Sequence, residues 1–130
     1  MTHRIGCSAC CIKPHGTPET RGLIGARELR AMKSSAYIYN VGRGTAIDAE
    51  ALLTVLQEGW IAGAGLDVTA PEPLLDDSPL WDMPNVILSQ HTSGSSPRMP
   101  SASRRYSSTT LGRYLRGLPL VNVVDKAQGY

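Results

Sequence analysis

The chain has 130 residues, 42% of them hydrophobic, and a net charge of +2. That length fits one small domain, and the apolar content excludes pervasive disorder. The charge is too small to point to nucleic acid or a membrane surface, and no apolar run approaches the roughly 20 residues of a spanning helix. The first residues, Met-Thr-His-Arg-Ile-Gly-Cys, lack the apolar segment of a signal peptide, so a cytoplasmic protein is the expectation.

In chain order, residues 1–16 show no clean periodicity and read as a poorly ordered leader. Cys7, Cys10 and Cys11 cluster there, whereas a disulfide framework needs distributed pairs. His3 and His15 lie nearby, but no second ligand pair follows at zinc spacing, and no metal site is expected. Thr17-Pro18-Glu19-Thr20 is a turn or cap signal. Gly25 to Lys33 reads as a short helix, with Leu29 and Met32 three apart and a basic end. Ala36 to Val41 reads as a buried strand that stops at Gly42-Arg43-Gly44. Asp48 is suited to cap a helix whose apolar stripe is Ala51, Leu52, Val55 and Leu56, ending at Gly59. Ile61 to Val68 is a second strand, rich in glycine and alanine. Pro71 and Pro73 force an irregular loop, and Val86 to Leu88 is a third strand before a polar stretch, Ser89 to Gly94.

Helices alternating with short apolar strands are the mark of βαβ units and a parallel sheet. Right-handed crossovers point all strands the same way, and ligands of such sheets bind beyond the carboxyl ends of the strands. Three chemically able residues fall there. Arg43, between two glycines, can grip a carboxylate through two parallel hydrogen bonds; the plainer alternative is a surface arginine in a turn. Asp67 and Glu72 follow the second strand. An acid at a strand end needs a partner if buried, and otherwise serves as a cap or a solvated loop acid. His91 follows the third strand, where an imidazole can donate or accept a proton near neutral pH. Glu72 is the candidate to orient it.

Taken together, Thr17-Pro18-Glu19-Thr20-Arg21-Gly22-Leu23-Ile24, Asn40-Val41-Gly42-Arg43-Gly44, Gly63-Ala64-Gly65-Leu66-Asp67-Val68 with Glu72-Pro73-Leu74, and His91-Thr92-Ser93-Gly94 resemble the NAD(P)-dependent D-2-hydroxyacid dehydrogenases, from about Thr17 to Asp125. The resemblance implies the second half of a Rossmann-like dinucleotide-binding domain over residues 17–97, then a return helix and C-terminal tail over 98–130. It implies NAD or NADP as cofactor, a small 2-oxo or 2-hydroxy acid as substrate, and it allows a homodimer. By it, Arg43, Glu72 and His91 form the catalytic set, and Thr17, Val41, Gly42, Arg43, Asp67, His91 and Gly94 approach the dinucleotide.

The departures are specific. The Gly-x-Gly-x-x-Gly phosphate turn expected before Thr17 is absent, as are the ribose-holding acid and the first substrate-domain segment. Ser101 to Thr110 is poor in helix formers and has no apolar stripe, where the resemblance implies an amphipathic helix. Two readings are open there. One is a serine-rich surface helix. The other is a compensated one-base shift: codons for Glu-Arg-Leu-Ala-Glu-Ile-Phe-Val-Asp-Asn, read one base late, translate to the ten residues present. Three functions therefore stand in competition: a dehydrogenase fragment of low or no activity alone, a non-enzymatic dinucleotide- or protein-binding relative, and a small metal or redox protein built on the cysteines. Retention of Arg43, Glu72 and His91 favours the first.

Overall fold

The computed structural model describes residues 8–127. Residues 8–93 form one compact unit and residues 94–127 a second. The first unit is a four-stranded parallel sheet in the order β1 (Ala9–Ile12), β2 (Tyr37–Asn40), β3 (Gly63–Leu66), β4 (Val86–Leu88). Helices α1 (Ala26–Ala31) and α2 (Ala49–Gln57) fall in the connections between strands.

Local chemistry explains these boundaries. Helix α1 starts where the Gly25 N–H donates to the Glu28 carboxylate at 3.0 Å, an acid in the first turn serving an unpaired amide. Helix α2 is capped by Asp48, whose carboxylate accepts from the Ala51 N–H at 2.9 Å. It ends before Gly59, which takes a left-handed φ of 66°. The core lies on one face of the sheet, where Ile12, Ile38, Ala64 and Leu66 meet Leu29 of α1 and Leu52, Val55 and Leu56 of α2. Full burial of a side chain such as Leu29 or Ile38 contributes about 1.5–3 kcal/mol each. The opposite face exposes large apolar side chains among the described residues. In one register row Cys11, Tyr39, Gly65 and Ile87 stand side by side, and Tyr37, Tyr39 and Ile87 are 45%, 40% and 72% exposed.

The expected leader is corrected in part. Ala9–Ile12 is strand β1, paired in register with Tyr37–Asn40. Cys10 and Ile12 turn toward the core and behave as a small and a large hydrophobe, a role cysteine fills readily. Neither Cys10 nor Cys11 is disulfide-bonded, while Cys7 and His3 lie outside the described residues. Among the described residues no three metal-binding side chains lie together.

In the second unit, Met99–Tyr114 is helix α3, with no buried residue. The serine-rich stretch is thus helical despite its composition. Ser101 Oγ donates to the Arg98 carbonyl at 2.9 Å and Ser108 Oγ to the Arg104 carbonyl at 2.8 Å, so these hydroxyls fold back onto their own helix. The tail returns along it, the Val121 carbonyl accepting from Tyr106 Oη at 2.9 Å. No described helix is long and apolar enough to cross a membrane. The division of units falls at Gly94, four residues before the expected return segment at 98.

Candidate active site

The carboxyl ends of β2, β3 and β4 carry the expected residues. After β2, Asn40 is almost fully buried and shapes the turn: its Oδ1 accepts from the Gly42 N–H at 3.1 Å and its Nδ2 donates to the Arg43 carbonyl at 2.9 Å. Side-chain mimicry of a backbone turn is a habit of asparagine. Gly42 packs against Lys13 and Pro14, and a Cβ on it would come within 2.9 Å of both. Residues of the expected leader therefore wall this turn. Arg43 is exposed, lies along Gly16, and donates from Nη1 to the Gly42 carbonyl at 2.8 Å.

Glu72 and His91 are brought together. His91 Nδ1 lies 2.5 Å from Glu72 Oε1, with side chains 44% and 40% exposed. A carboxylate accepts from Nδ1–H, which leaves Nε2 as the nitrogen for a reacting group. Both prolyl bonds flanking Glu72, Ala70–Pro71 and Glu72–Pro73, are cis. His91 itself has φ 56°. The pair opens on a cleft of about 370 Å³ lined by Asp67, Glu72, Leu74, Trp81, Leu88 and His91. Arg43 does not line it. It reaches the neighbourhood through the backbone: Gly44 is buried against Thr69 and Ala70 at the start of the Glu72 loop.

Asp67 is 6% exposed and well supplied with donors. Oδ1 accepts from Ser89 Oγ at 2.6 Å and from the Thr92 N–H at 2.9 Å; Oδ2 accepts from the Ser93 N–H at 2.8 Å. The Ser89 hydroxyl first, then Ser93 through side chain and backbone, hold this carboxyl well below the usual range, outweighing burial, which pushes the other way. In the unfolded chain an aspartate takes up its proton near pH 3.9. The unfolded state then binds more protons than the folded one, so the stability from Asp67 is complete above about pH 4 and is lost as pH falls below it. Thermal melts from pH 5 downward are expected to show Tm falling less steeply for Asp67→Asn than for the wild type. Parallel slopes would show that Asp67 carries none of the acid sensitivity.

The remaining expected residues are more loosely placed. Thr17 opens a short 3-10 turn, Pro18–Thr20, its N–H donating to Thr20 Oγ1 at 2.9 Å. The Val41 carbonyl accepts a long bond from Ser93 Oγ, 3.4 Å, which links the β2 and β4 loops. Gly94 is exposed, with open space where a Cβ would stand. Asn40, Ser89 and Ser93 were not singled out from the sequence. Only Asn40 carried a local signal, an asparagine two residues before a glycine.

A parallel α/β sheet with crossover helices and an acid–imidazole pair at its carboxyl edge has the architecture of a ligand-binding α/β domain. The family described as D-isomer specific 2-hydroxyacid dehydrogenase, NAD binding domain, matches residues 8–93. The chain belongs to that family. Its match begins at residue 8, so β1 is part of the domain, in place of the expected start at Thr17. A glyoxylate reductase of Korarchaeum cryptofilum is 40% identical over 110 residues, covering 85% of this chain and 33% of that protein. An uncharacterized protein of Corynebacterium melassecola is 39% identical over 114 residues, covering 88% and 38%. The chain thus spans about a third of the length of these curated relatives. Among solved structures, a D-isomer specific 2-hydroxyacid dehydrogenase of Xanthobacter autotrophicus Py2, in complex with NADPH and MES, superposes with a TM-score of 0.83 at 37% identity, over 96% of this chain and 51% of that one. An NADPH-dependent glyoxylate/hydroxypyruvate reductase of Sinorhizobium meliloti, with NADP and sulfate, gives 0.81 at 33% identity, over 95% and 40%.

Proposed function

We infer that this chain supplies the nicotinamide side of an NAD(P)-dependent reductase that converts a small 2-oxo acid to a D-2-hydroxy acid. The observation that carries the reading is the Glu72–His91 pair, 2.5 Å apart at the edge of a parallel sheet. Relatives named glyoxylate reductase support a small substrate. His91 gives the proton on Nε2 to the carbonyl oxygen, and Glu72, bonded to Nδ1, stabilises the imidazolium and fixes its tautomer. Arg43 holds the substrate carboxylate and draws charge toward the developing alkoxide, for which its exposed guanidinium must swing from the Gly42 carbonyl. A bound nicotinamide supplies the hydride that the carbonyl carbon accepts.

The residues fit one half of that cofactor. The Val41–Gly42 turn and the Asp67 carboxylate can receive the nicotinamide end, while Thr17 and Gly94 carry only the role that the resemblance implies. No glycine-rich phosphate turn occurs among the 130 residues. The family's cytoplasmic setting and a homodimer remain expectations from sequence. Two experiments follow. The isolated chain is expected to show no NADH oxidation with glyoxylate above background, because pyrophosphate anchoring is lacking; turnover abolished by His91→Ala would overturn that. A chimera in which this chain replaces the 110 matched residues of the Korarchaeum glyoxylate reductase is expected to reduce glyoxylate. A folded chimera without turnover would sink the functional reading.

A further inference from the structure

We propose that Asp67 is the positioning residue of the Glu72–His91 pair: its buried carboxylate is the fixed anion around which the loop carrying His91 is folded. Its three donors bracket His91 in sequence, Ser89 before it and Thr92 and Ser93 after it. His91, between them, has a left-handed φ of 56°. A histidine takes that conformation at a cost, and it persists where surrounding contacts over-determine it. Successive backbone N–H groups converging on one anion make such a turn stable, and here the anion is built into the chain.

The placement in depth supports this. Asp67 is 6% exposed, whereas Glu72 and His91 are each near 40% exposed. A half-exposed pair between two loops gains little order from its own attraction. The loop bearing Glu72 departs from β3 directly through Asp67, and the loop bearing His91 is tied to the same carboxylate. One buried group thus sets the origin of both partners. Donors from this chain already engage both oxygens of that carboxylate. A cofactor amide would meet a group already engaged in holding the loop. The functional weight of the proposal rests on reading His91 as the proton carrier, but its geometry does not.

The test uses the whole chain without substrate or cofactor, near neutral pH, by NMR. In the wild type, His91 Nδ1–H is expected as a slowly exchanging ring-proton signal that Glu72→Ala removes. In Asp67→Asn, the amides of Thr92 and Ser93 are expected to exchange about tenfold faster or more, since two N–H groups lose a charged acceptor. The His91 ring proton is expected to broaden or vanish, although Glu72 and His91 are untouched. Unchanged amide signals in α2 and β2 establish that the variant is folded. Ser89→Ala, which deletes one bond, is expected to act in the same direction with smaller size, and serves if Asp67→Asn does not fold. A folded variant of either kind that leaves the ring proton and the Thr92 and Ser93 exchange as in the wild type overturns the proposal. Loss of turnover in the chimera with these signals intact would instead overturn the functional reading alone.

Discussion

Replacing His91 with alanine in the full-length chimera is expected to lower kcat for glyoxylate reduction by about 10²–10⁴-fold, the usual contribution of a positioned general acid. KM is expected to move far less, because the proton is transferred only as charge develops on the carbonyl oxygen. The imidazole is suited to this by its partner. Glu72 lies 2.5 Å from Nδ1, commits that nitrogen, and directs the other toward the reacting group. Glu72→Gln retains a hydrogen-bond acceptor but not the charge, so an intermediate loss of kcat is expected. A His91→Ala chimera with kcat within a few-fold of the parent would remove His91 from the chemistry.

The Gly44→Ala substitution is expected to be the most damaging single-methyl change in the first unit. A Cβ at Gly44 would overlap the Thr69 carbonyl and approach the Ala70 nitrogen to 2.8 Å. These are backbone atoms, with no flexible side chain to swing aside. Forcing them apart costs about 1–3 kcal/mol and can cost more. The effect is also directional: it separates the turn bearing Arg43 from the loop bearing Glu72. Urea unfolding of the isolated chain measures the loss. Gly94→Ala is the control, since nothing lies within 4 Å of its Cβ position, and it is expected to stay within about 0.5 kcal/mol of the wild type. Equal stability of Gly44→Ala and Gly94→Ala would mean that the two loops are not in fact interlocked.

Much of this architecture was readable from periodicity. Leu29, Leu52, Val55 and Leu56 recur at helical spacing and are buried, and the apolar run at Tyr37–Asn40 is a central strand. The logic of strand ends in a parallel sheet brought Glu72 and His91 to one edge, where they touch. Failures have physical causes. Strand β1 was missed because Cys10 and Cys11 were weighed as thiols, although Cys10 packs against the core as a small apolar side chain. The expected partner of a buried Asp67 proved to lie within the chain, where three donors engage it. Those contacts join residues 22 to 26 positions apart, and no local pattern encodes them. Arg43 was placed by its motif, but a motif does not specify a rotamer, and the guanidinium lies back on the Gly42 carbonyl. Propensity argued against a helix at Ser101 to Thr110, yet α3 forms there, with the Ser101 and Ser108 hydroxyls bonded back to backbone carbonyls.

The exposed apolar side chains of the sheet's second face have a thermodynamic consequence. Parallel sheets are ordinarily covered on both sides, whereas here Tyr37, Tyr39 and Ile87 remain in water in the folded state. Unfolding therefore exposes less new apolar surface per residue than it does in a three-layer domain. The heat-capacity increment and the denaturant slope both scale with that newly exposed surface. The stability curve of this chain is accordingly expected to be flat: shallow at its maximum, broad in temperature, and spread over a wide range of denaturant.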